Sequence, residues 1–409
     1  MNHRAHPGWS GPCHVAVASA VLAAAAMAAS GHTIASPPPA VKIGFHNMEG
    51  GAVSLPELRL GFEAAVQYVN DQLGGVGGRP IEVVVCNTDG SPESSINCAN
   101  RFVEESVVLA VQGVDAGADA ALPILTDAGI VETGKNAFGP QQQIDIGHSY
   151  FTGGALQAFA IAALSTFKDE GAERATLFFN DIPSSHDFVS DVIEPVAESI
   201  GVDVNAVYFA PGAADWSAVV AAALSDDPQA VGSTGLADPD CIAMIDALRA
   251  AGYDGLVYAS QCTEFIETLG PEAADGVLMT ADLFAPSLVG DIGGRAGDEL
   301  AIYLEAMAAA GVDEIVTNGF NAQGWFGVGI DVHSILSTID GDIDAASVAA
   351  AFASAKVDRF MGGSIDCTTP AWPGETACSR DVVVYTVSEG AITLHSDGMI
   401  DITPYLPEG

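Results

Sequence analysis

Short apolar strands alternate with amphipathic helices from Val41 onward, and the alternation starts afresh after Phe151. Val41 to Phe45 reads as a strand, and Leu58, Phe62, Ala65, Val66, Val69 and Leu73 then recur at helical spacing, which marks one buried helix face. Gly74-Gly75-Val76-Gly77-Gly78 stops that helix, and Ile81 to Val85 is the next strand. Ser91 and Pro92 open a second helix as N-cap and first-turn residues. Its buried face is Ile96, Ala99, Phe102 and Val103. Strands at Val107 to Val111 and Ile130 to Glu132 flank a helix near Ala118 to Ala128. In the second run the strands are Ala175 to Phe179, Val204 to Phe209, Ala230 to Ser233, Leu256 to Ser260 and Val277 to Ala281. Helices at Phe188 to Ile200, Trp216 to Leu224 and Asp238 to Ala250 separate them. Near the end, Val382 to Val387 and Ala391 to Leu394 form a hairpin through Ser388-Glu389-Gly390. Alternating units of this kind build parallel sheets with helices on both faces. Two runs in 409 residues, too long a chain for one ordinary core, predict an α/β protein of two doubly wound parallel-sheet lobes.

The first 35 residues read differently. Arg4 precedes an apolar run from Val15 to Ala29, and small residues follow at Ala26-Met27-Ala28 and Thr33-Ile34-Ala35. A basic start, a short apolar run and an A-x-A type exit predict a signal peptide over 1–35. A membrane anchor needs ~20 apolar residues, more than this run supplies. Cys13 lies before the run, misplaced for lipid attachment, and Ser36-Pro37-Pro38-Pro39 reads as a stiff tether. The mature protein is expected to be soluble and periplasmic or extracellular. The 13 basic and 53 acidic residues of the full chain give a formal net charge of −40. Phosphates would be repelled, which excludes a nucleic-acid partner; the charge reads as a solvated acidic surface.

Six cysteines lie outside the leader: Cys86, Cys98, Cys241, Cys262, Cys367 and Cys378. Their order along the chain points to three local disulfides, 86–98, 241–262 and 367–378, among the 15 possible connectivities. Each would close a loop of roughly 10–20 residues, worth about 3 kcal/mol in the chain-entropy model. The alternative is metal binding, but no C-x-x-C occurs and no His stands at ligand spacing. No metal and no cofactor are expected.

Motifs of catalysis are missing. His46-Asn47-Met48-Glu49-Gly50-Gly51 follows the first strand where a dinucleotide site would carry G-x-G-x-x-G. Gly74 to Gly78 follows a helix, the wrong order for pyrophosphate. Neither a phosphate loop, nor G-x-S-x-G, nor H-E-x-x-H is present, and His148, His186 and His333 are scattered. No enzyme is predicted, although a site assembled from distant residues stays open.

Ligands of open parallel sheets bind outside the carboxyl ends of the strands, where helix N-termini favour anions. This selects the loops His46 to Ser54, Gly113 to Gly117 and Thr133 to Asn136 in the first lobe. In the second it selects Asn180 to His186, Thr234 to Asp238 and Gln261 to Glu264.

A run of residues resembles a known family. The passage Val69-Asn70-Asp71-Gln72-Leu73-Gly74-Gly75-Val76-Gly77-Gly78-Arg79-Pro80-Ile81-Glu82-Val83 looks like the start of type 1 periplasmic binding proteins of the branched-chain amino acid class. Asp89-Gly90-Ser91-Pro92, Val111-Gln112-Gly113, Pro123, Ala250-Ala251-Gly252-Tyr253 and Gly276-Val277 match later signposts, so the likeness covers residues 41–409. It implies an extracytoplasmic substrate-binding protein of an ABC transporter, of the amino acid or amide class. The partners implied are a small-molecule ligand and a membrane permease, with the protein itself a monomer. A ligand-sensing receptor domain and a secreted enzyme on a related fold are the rival readings. Crossovers are expected near Tyr150 to Gly153, Ala281 to Ala285 and Met361 to Ser364. They would divide a first lobe of 41–152 and 283–362 from a second of 153–282 and 363–409, with Gly153-Gly154 and Gly362-Gly363 as hinge residues.

The resemblance also implies ligand contacts. In the first lobe they fall on Ser54, on the turn Asp115-Ala116-Gly117, and on Thr133 and Gly134. In the second they fall on Asn180, Ser185, Leu236, Ala237 and Gln261. Relatives hold a ligand carboxylate with a hydroxyl and backbone amides; here Asp115 stands in that turn, and its charge would repel an anion. Gln261 stands where relatives place the acid that meets an ammonium, with Glu264 and Asp238 as substitutes. An amino acid, an amide, a small organic acid and an apolar molecule all remain open as ligands. Asp115 and Asp238 have a plainer reading as helix N-caps, and Cys241–Cys262 would tie two ligand-facing loops at one sheet edge.

Overall fold

In the computed structural model, residues 39–51, 54–210, 214–236 and 238–406 are described; the expected signal peptide lies outside them. Residues 38–409 form one compact unit. It holds two principal sheets. The strands in chain order are β1 Val41–Met48, β2 Ile81–Thr88, β3 Leu109–Gln112, β4 Val131–Gly134 and β5 Ser149–Gly154, then β6 Arg174–Asn180, β7 Asp203–Phe209, β8 Ala230–Ser233, β9 Leu256–Tyr258 and β10 Val277–Ala281. After these come β11 Lys356–Asp358, β12 Ser364–Asp366, β13 Ala377–Ser379, β14 Asp381–Ser388 and β15 Ala391–Asp401. The first sheet has six strands in the order β13-β5-β4-β3-β1-β2, and the second has seven in the order β15-β14-β10-β9-β8-β6-β7. β11 and β12 form a small antiparallel pair of their own. All pairings within the first sheet are parallel, and in the second β14 alone is reversed, pairing antiparallel with both β10 and β15. The two doubly wound α/β lobes expected from the alternation are therefore present.

The helices that position the site are α1 Pro56–Tyr68, α2 Pro92–Glu104, α3 Leu156–Asp169, α4 Pro183–Phe188, α5 Asp238–Ala250, α6 Glu264–Leu269, α7 Gly294–Ala309, α8 Glu314–Thr317 and α9 Phe320–Leu336. The strand period sends Val41, Ile43 and Phe45 of β1 toward α1, where Phe45 stacks on Phe62 at 4.9 Å between ring centroids. The intervening His46 points the other way, toward Phe102 of α2. Ser91 caps α2 by accepting from the backbone N–H of Ser94, as its sequence predicts. Helix α1 packs so closely on α9 that a methyl group on Gly61 would strike the Ala322 carbonyl, and one on Gly329 would strike Ala65.

Differences from expectation lie at the ends and in the tail. Helix α1 runs into a π-helical turn, Val69–Leu73, before Gly74 in the left-handed region ends it. The stretch expected as one helix over 118–128 is a 3₁₀ turn followed by a short α-helix, Leu122–Asp127. β13 pairs with β5, so the chain stays with the first sheet to Ser379 and passes to the second only at Arg380. The third passage thus falls beyond Met361 to Ser364, because a short strand of three residues carries too weak a pattern to be read. All three expected disulfides are formed, with Cα–Cα separations of 5.6, 6.6 and 4.5 Å for 86–98, 241–262 and 367–378.

Candidate functional site

The carboxyl ends of β1, β3 and β4 are held by side chains turned back into the first lobe. Asn47 accepts from the Val114 N–H at 3.0 Å and donates to the Leu55 carbonyl at 2.7 Å, tying the loops after β1 and β3 together. Asp115 is fully buried. One of its oxygens faces His46 Nδ1 at 3.0 Å and accepts from Ser95 Oγ at 2.7 Å; the other accepts from the Gly117 N–H at 3.1 Å. The far nitrogen of His46 meets Glu132 at 3.0 Å, and Gln142 donates to the other Glu132 oxygen at 2.6 Å. Burial pulls the imidazole of His46 down, yet the hydrogen bonds it donates to two carboxylates lift it to about 9, so it is protonated at neutral pH. Burial pushes Asp115 up, but His46, Ser95 and the Gly117 N–H together outweigh it and hold the carboxyl below its ordinary range. Ser95 donates to Asp115 and not to His46, so these three residues do not form a nucleophile and its base.

The expected first-lobe contacts separate on this geometry. Asp115, Gly117, Thr133 and Gly134 are buried, and Thr133 Oγ1 donates to the Tyr150 carbonyl at 2.6 Å. Ala116 and Ser54 are exposed. In the second lobe Asn180, Ser185 and Leu236 are half-buried, Gln261 is exposed, and Ala237 lies outside the described residues. Ser260, with a φ of 51°, donates to the Thr234 carbonyl at 3.0 Å, and Cys241–Cys262 links the same two loops. The loops after β8 and β9 are thereby fixed to each other.

Two cavities lie between the sheets. A cleft of about 370 Å³ is lined by Glu57 of α1, Asp238, Gln261 and Glu264 from the second-sheet loops, and Ile315 and Phe320 from the α8–α9 region. Asn321 also lines it and donates to Glu57 at 3.3 Å. A smaller cavity of about 60 Å³ sits at the first passage between the lobes, among Asn136, Phe151, Leu156, Gln157, Phe188 and Glu375. Gln157 is buried; its amide nitrogen donates to Glu375, and its Oε1 has no partner among the described residues. Of the residues expected from sequence, Gln261 reaches the larger cleft, joined by its expected substitutes Asp238 and Glu264. Glu57, Asn321, Gln157 and Glu375 were not read from sequence, since long-range packing alone brings them there.

A buried ion cluster holds the passages. Asp282, just past β10, lies 3.2 Å from Lys135 Nζ and 2.9 Å from Arg359, and Arg359 also donates to the Asp282 carbonyl at 2.7 Å. The Gly154 N–H reaches Asp282 at 3.4 Å. Burial works against the Asp282 charge, but Arg359 and Lys135 hold its carboxyl far below the usual range. Asp331 of α9 accepts from the Phe360 N–H at 2.9 Å; burial outweighs the pull of Arg359 and raises it to about 7. The loop after β11 is tied onward by Ser364, whose N–H and Oγ both donate to Asp381 at 2.7 and 2.9 Å. One sequence signal points here: Lys135 and Arg359 are two of only 13 basic residues.

Among the described residues no group of three or more His, Cys, Asp or Glu is placed to hold a metal ion, and no helix is long and apolar enough to cross a membrane. A family model described as periplasmic binding protein matches residues 40–388. Among solved structures, the chain is similar to a putative branched-chain amino acid ABC transporter protein from Rhodospirillum rubrum, at 18% identity and a TM-score of 0.69, covering 87% of this chain and 99% of that one. It is similar to the leucine-binding protein LivK of Thermotoga maritima, at 21% identity and a TM-score of 0.65, covering 88% and 99%. A solute-binding protein of R. palustris in complex with 4-hydroxybenzoate matches at 17% identity and a TM-score of 0.69, covering 88% and 97%. At these identities the structures speak for the fold. Among curated proteins no sequence matches the chain.

Proposed function

The chain belongs to the periplasmic binding protein family, and from that premise we propose that it is the extracytoplasmic substrate-binding protein of an ABC transporter. The observation that carries this reading is the 370 Å³ cleft whose walls come from both lobes, within the size range of small-molecule sites. A ligand that touches both walls only when they approach shifts the population toward the closed form. The function is binding without chemistry, and the closed form is what a membrane permease recognises. The names of the neighbours, which include a leucine-binding protein and a complex with 4-hydroxybenzoate, support a small amino acid or organic acid as the ligand, with an amide as the further candidate. The lobes we infer comprise residues 41–152 with 283–379, and 153–282 with 380–409. A cleaved leader over 1–35 delivers the protein, as a monomer, outside the cytoplasm.

Thermal-shift screening of the purified mature chain tests this. A ligand at a hundredfold excess over its Kd stabilises by about 2.7 kcal/mol, enough to raise Tm visibly. The reading expects at least one hit among amino acids, amides, and aliphatic or aromatic acids, weakened by Gln261→Ala. Turnover of a hit to product would instead favour an enzyme.

A further inference from the structure

We propose that the Cys241–Cys262 disulfide is a redox-sensitive brace of the larger cleft: oxidised, it holds the second-lobe wall in its binding geometry, and reduced, it releases that wall and weakens binding. This rests on the binding-protein reading above and concerns the same cleft.

The second-lobe wall comes from two loops. One gives Asp238, and the other gives Gln261, Thr263 and Glu264. Cys262 stands between Gln261 and Thr263, and Cys241 follows Asp238 by one turn of α5. The ladder between β8 and β9 ends at Gly232 and Tyr258. Beyond that point, among the described residues, no backbone hydrogen bond joins the two loops. Two side-chain ties take its place: the disulfide, and Ser260 Oγ, which donates to the Thr234 carbonyl at 3.0 Å. Ser260 has a φ of 51°. A residue with a Cβ keeps that conformation only where its surroundings impose it, so a loop freed from the bond relaxes away from the wall geometry.

The effect is local. Met244, Ile245 and Leu248 anchor α5 in the core, and Arg249 donates to the Ala273 carbonyl at 3.0 Å. The lobe therefore keeps its fold without the bond, which acts on the first turn of α5 and on the loop after β9. A ligand that needs both loops in place must then order them on binding, and affinity falls. The other two disulfides stand elsewhere. Cys86 lies inside β2, whose ladder with β1 runs on to Thr88, and Cys367 and Cys378 border a separate cavity with Ile146 and Pro370. No residue beside these four cysteines lines the larger cleft.

Reduction by a dithiol breaks the sulfur–sulfur bond, leaves two cysteine thiols and turns the dithiol into its own disulfide, with two electrons and two protons transferred. Cys241 and Cys262 are buried, so a dithiol reaches the bond only as the loops part. If the oxidised form binds more tightly, the bound compound favours the oxidised form by the same factor. A tenfold difference in Kd corresponds to about 30 mV in the potential of this bond.

The test compares three variants, each lacking one disulfide: Cys241→Ser/Cys262→Ser, Cys86→Ser/Cys98→Ser and Cys367→Ser/Cys378→Ser. The probe is the most stabilising compound of the thermal-shift screen, titrated calorimetrically at a temperature where each variant is folded. The expected result is a Kd at least tenfold weaker without the 241–262 bond, and within threefold of the wild type without either of the others. The wild-type chain is then equilibrated with graded ratios of reduced to oxidised dithiothreitol, trapped by alkylation and read by peptide mass spectrometry. A saturating amount of the probe is expected to move the midpoint ratio for Cys241–Cys262 at least tenfold, and those of the other two less than threefold. General stabilisation would move all three together, and this second readout decides the matter if the 241–262 variant does not fold. Equal Kd values in the three variants, or equal protection of the three disulfides, overturns this inference alone and leaves the binding-protein reading standing. A screen that yields no compound overturns both.

Discussion

At the scale of single residues, the first lobe is organised by a histidine that lies between two carboxylates and is 2% exposed. His46 near 9 in the folded chain, against an ordinary value of about 6.5, adds stability that is fully present below pH 6.5. That stability is lost as pH rises through 9, because the unfolded chain releases the proton first. The whole effect is on the order of 3 kcal/mol. Asp331, raised to about 7, works between about pH 4 and 7, so the interval above pH 7 belongs to His46. Chemical denaturation at pH 7, 8 and 9 should show stability falling for the wild type. His46→Gln should be less stable at pH 7 and nearly flat across that interval; an equal slope in both proteins would place the titration elsewhere. Asp115 was legible as a polar residue at a strand end, and its N-cap reading came closest. Its true partner, His46, lies 69 positions away, and no local pattern announces such a pairing.

At the scale of elements, the sequence was a good guide wherever periodicity ran long. The strands at Ala230–Ser233 and Val277–Ala281 stand where the alternation placed them, and the caps of α2 follow from Ser91 and Pro92. The cysteine order gave all three disulfides, since neighbouring strand ends bring local cysteines together. What could not be read were β11, β12 and β13, too short to carry a period, and the contact of α1 with α9, which joins segments some 260 residues apart. That contact makes its own prediction. Gly→Ala in a helix interior ordinarily stabilises by up to about 1 kcal/mol. At Gly61 the added methyl strikes the Ala322 carbonyl, which is backbone and cannot swing aside. Gly61→Ala should therefore destabilise by ~1–3 kcal/mol, read as a lower Tm; a gain in Tm would show that the helices separate freely.

At the scale of the whole molecule, the lobes meet over a cleft and are joined through charge. Asp282 contacts Lys135, Gly154 and Arg359, so the first and second passages share one buried carboxylate, and Asp381 extends the tie to the third through Ser364. Buried ion pairs hold geometry more than they add stability, and here they hold the end of β10 to the segments that follow β4 and β11. The left-handed φ of 56° at Met361, beside this cluster, stores local strain at the same place. Of the strand-end loops selected by topology, those at Asp238 and Gln261 to Glu264 line the larger cleft, whereas His46 to Ser54 and Gly113 to Gly117 line neither cavity. The rest of the lining was not legible, because Glu57, Gln157 and Glu375 enter from other parts of the fold. The account stands on the two lobes closing over a bound small molecule. Small-angle X-ray scattering of the mature chain, without and with a saturating amount of the most stabilising ligand from the thermal-shift screen, reads that motion directly. The account predicts a smaller radius of gyration and a shorter maximum dimension on binding. Stoichiometric binding with an unchanged scattering profile would contradict it.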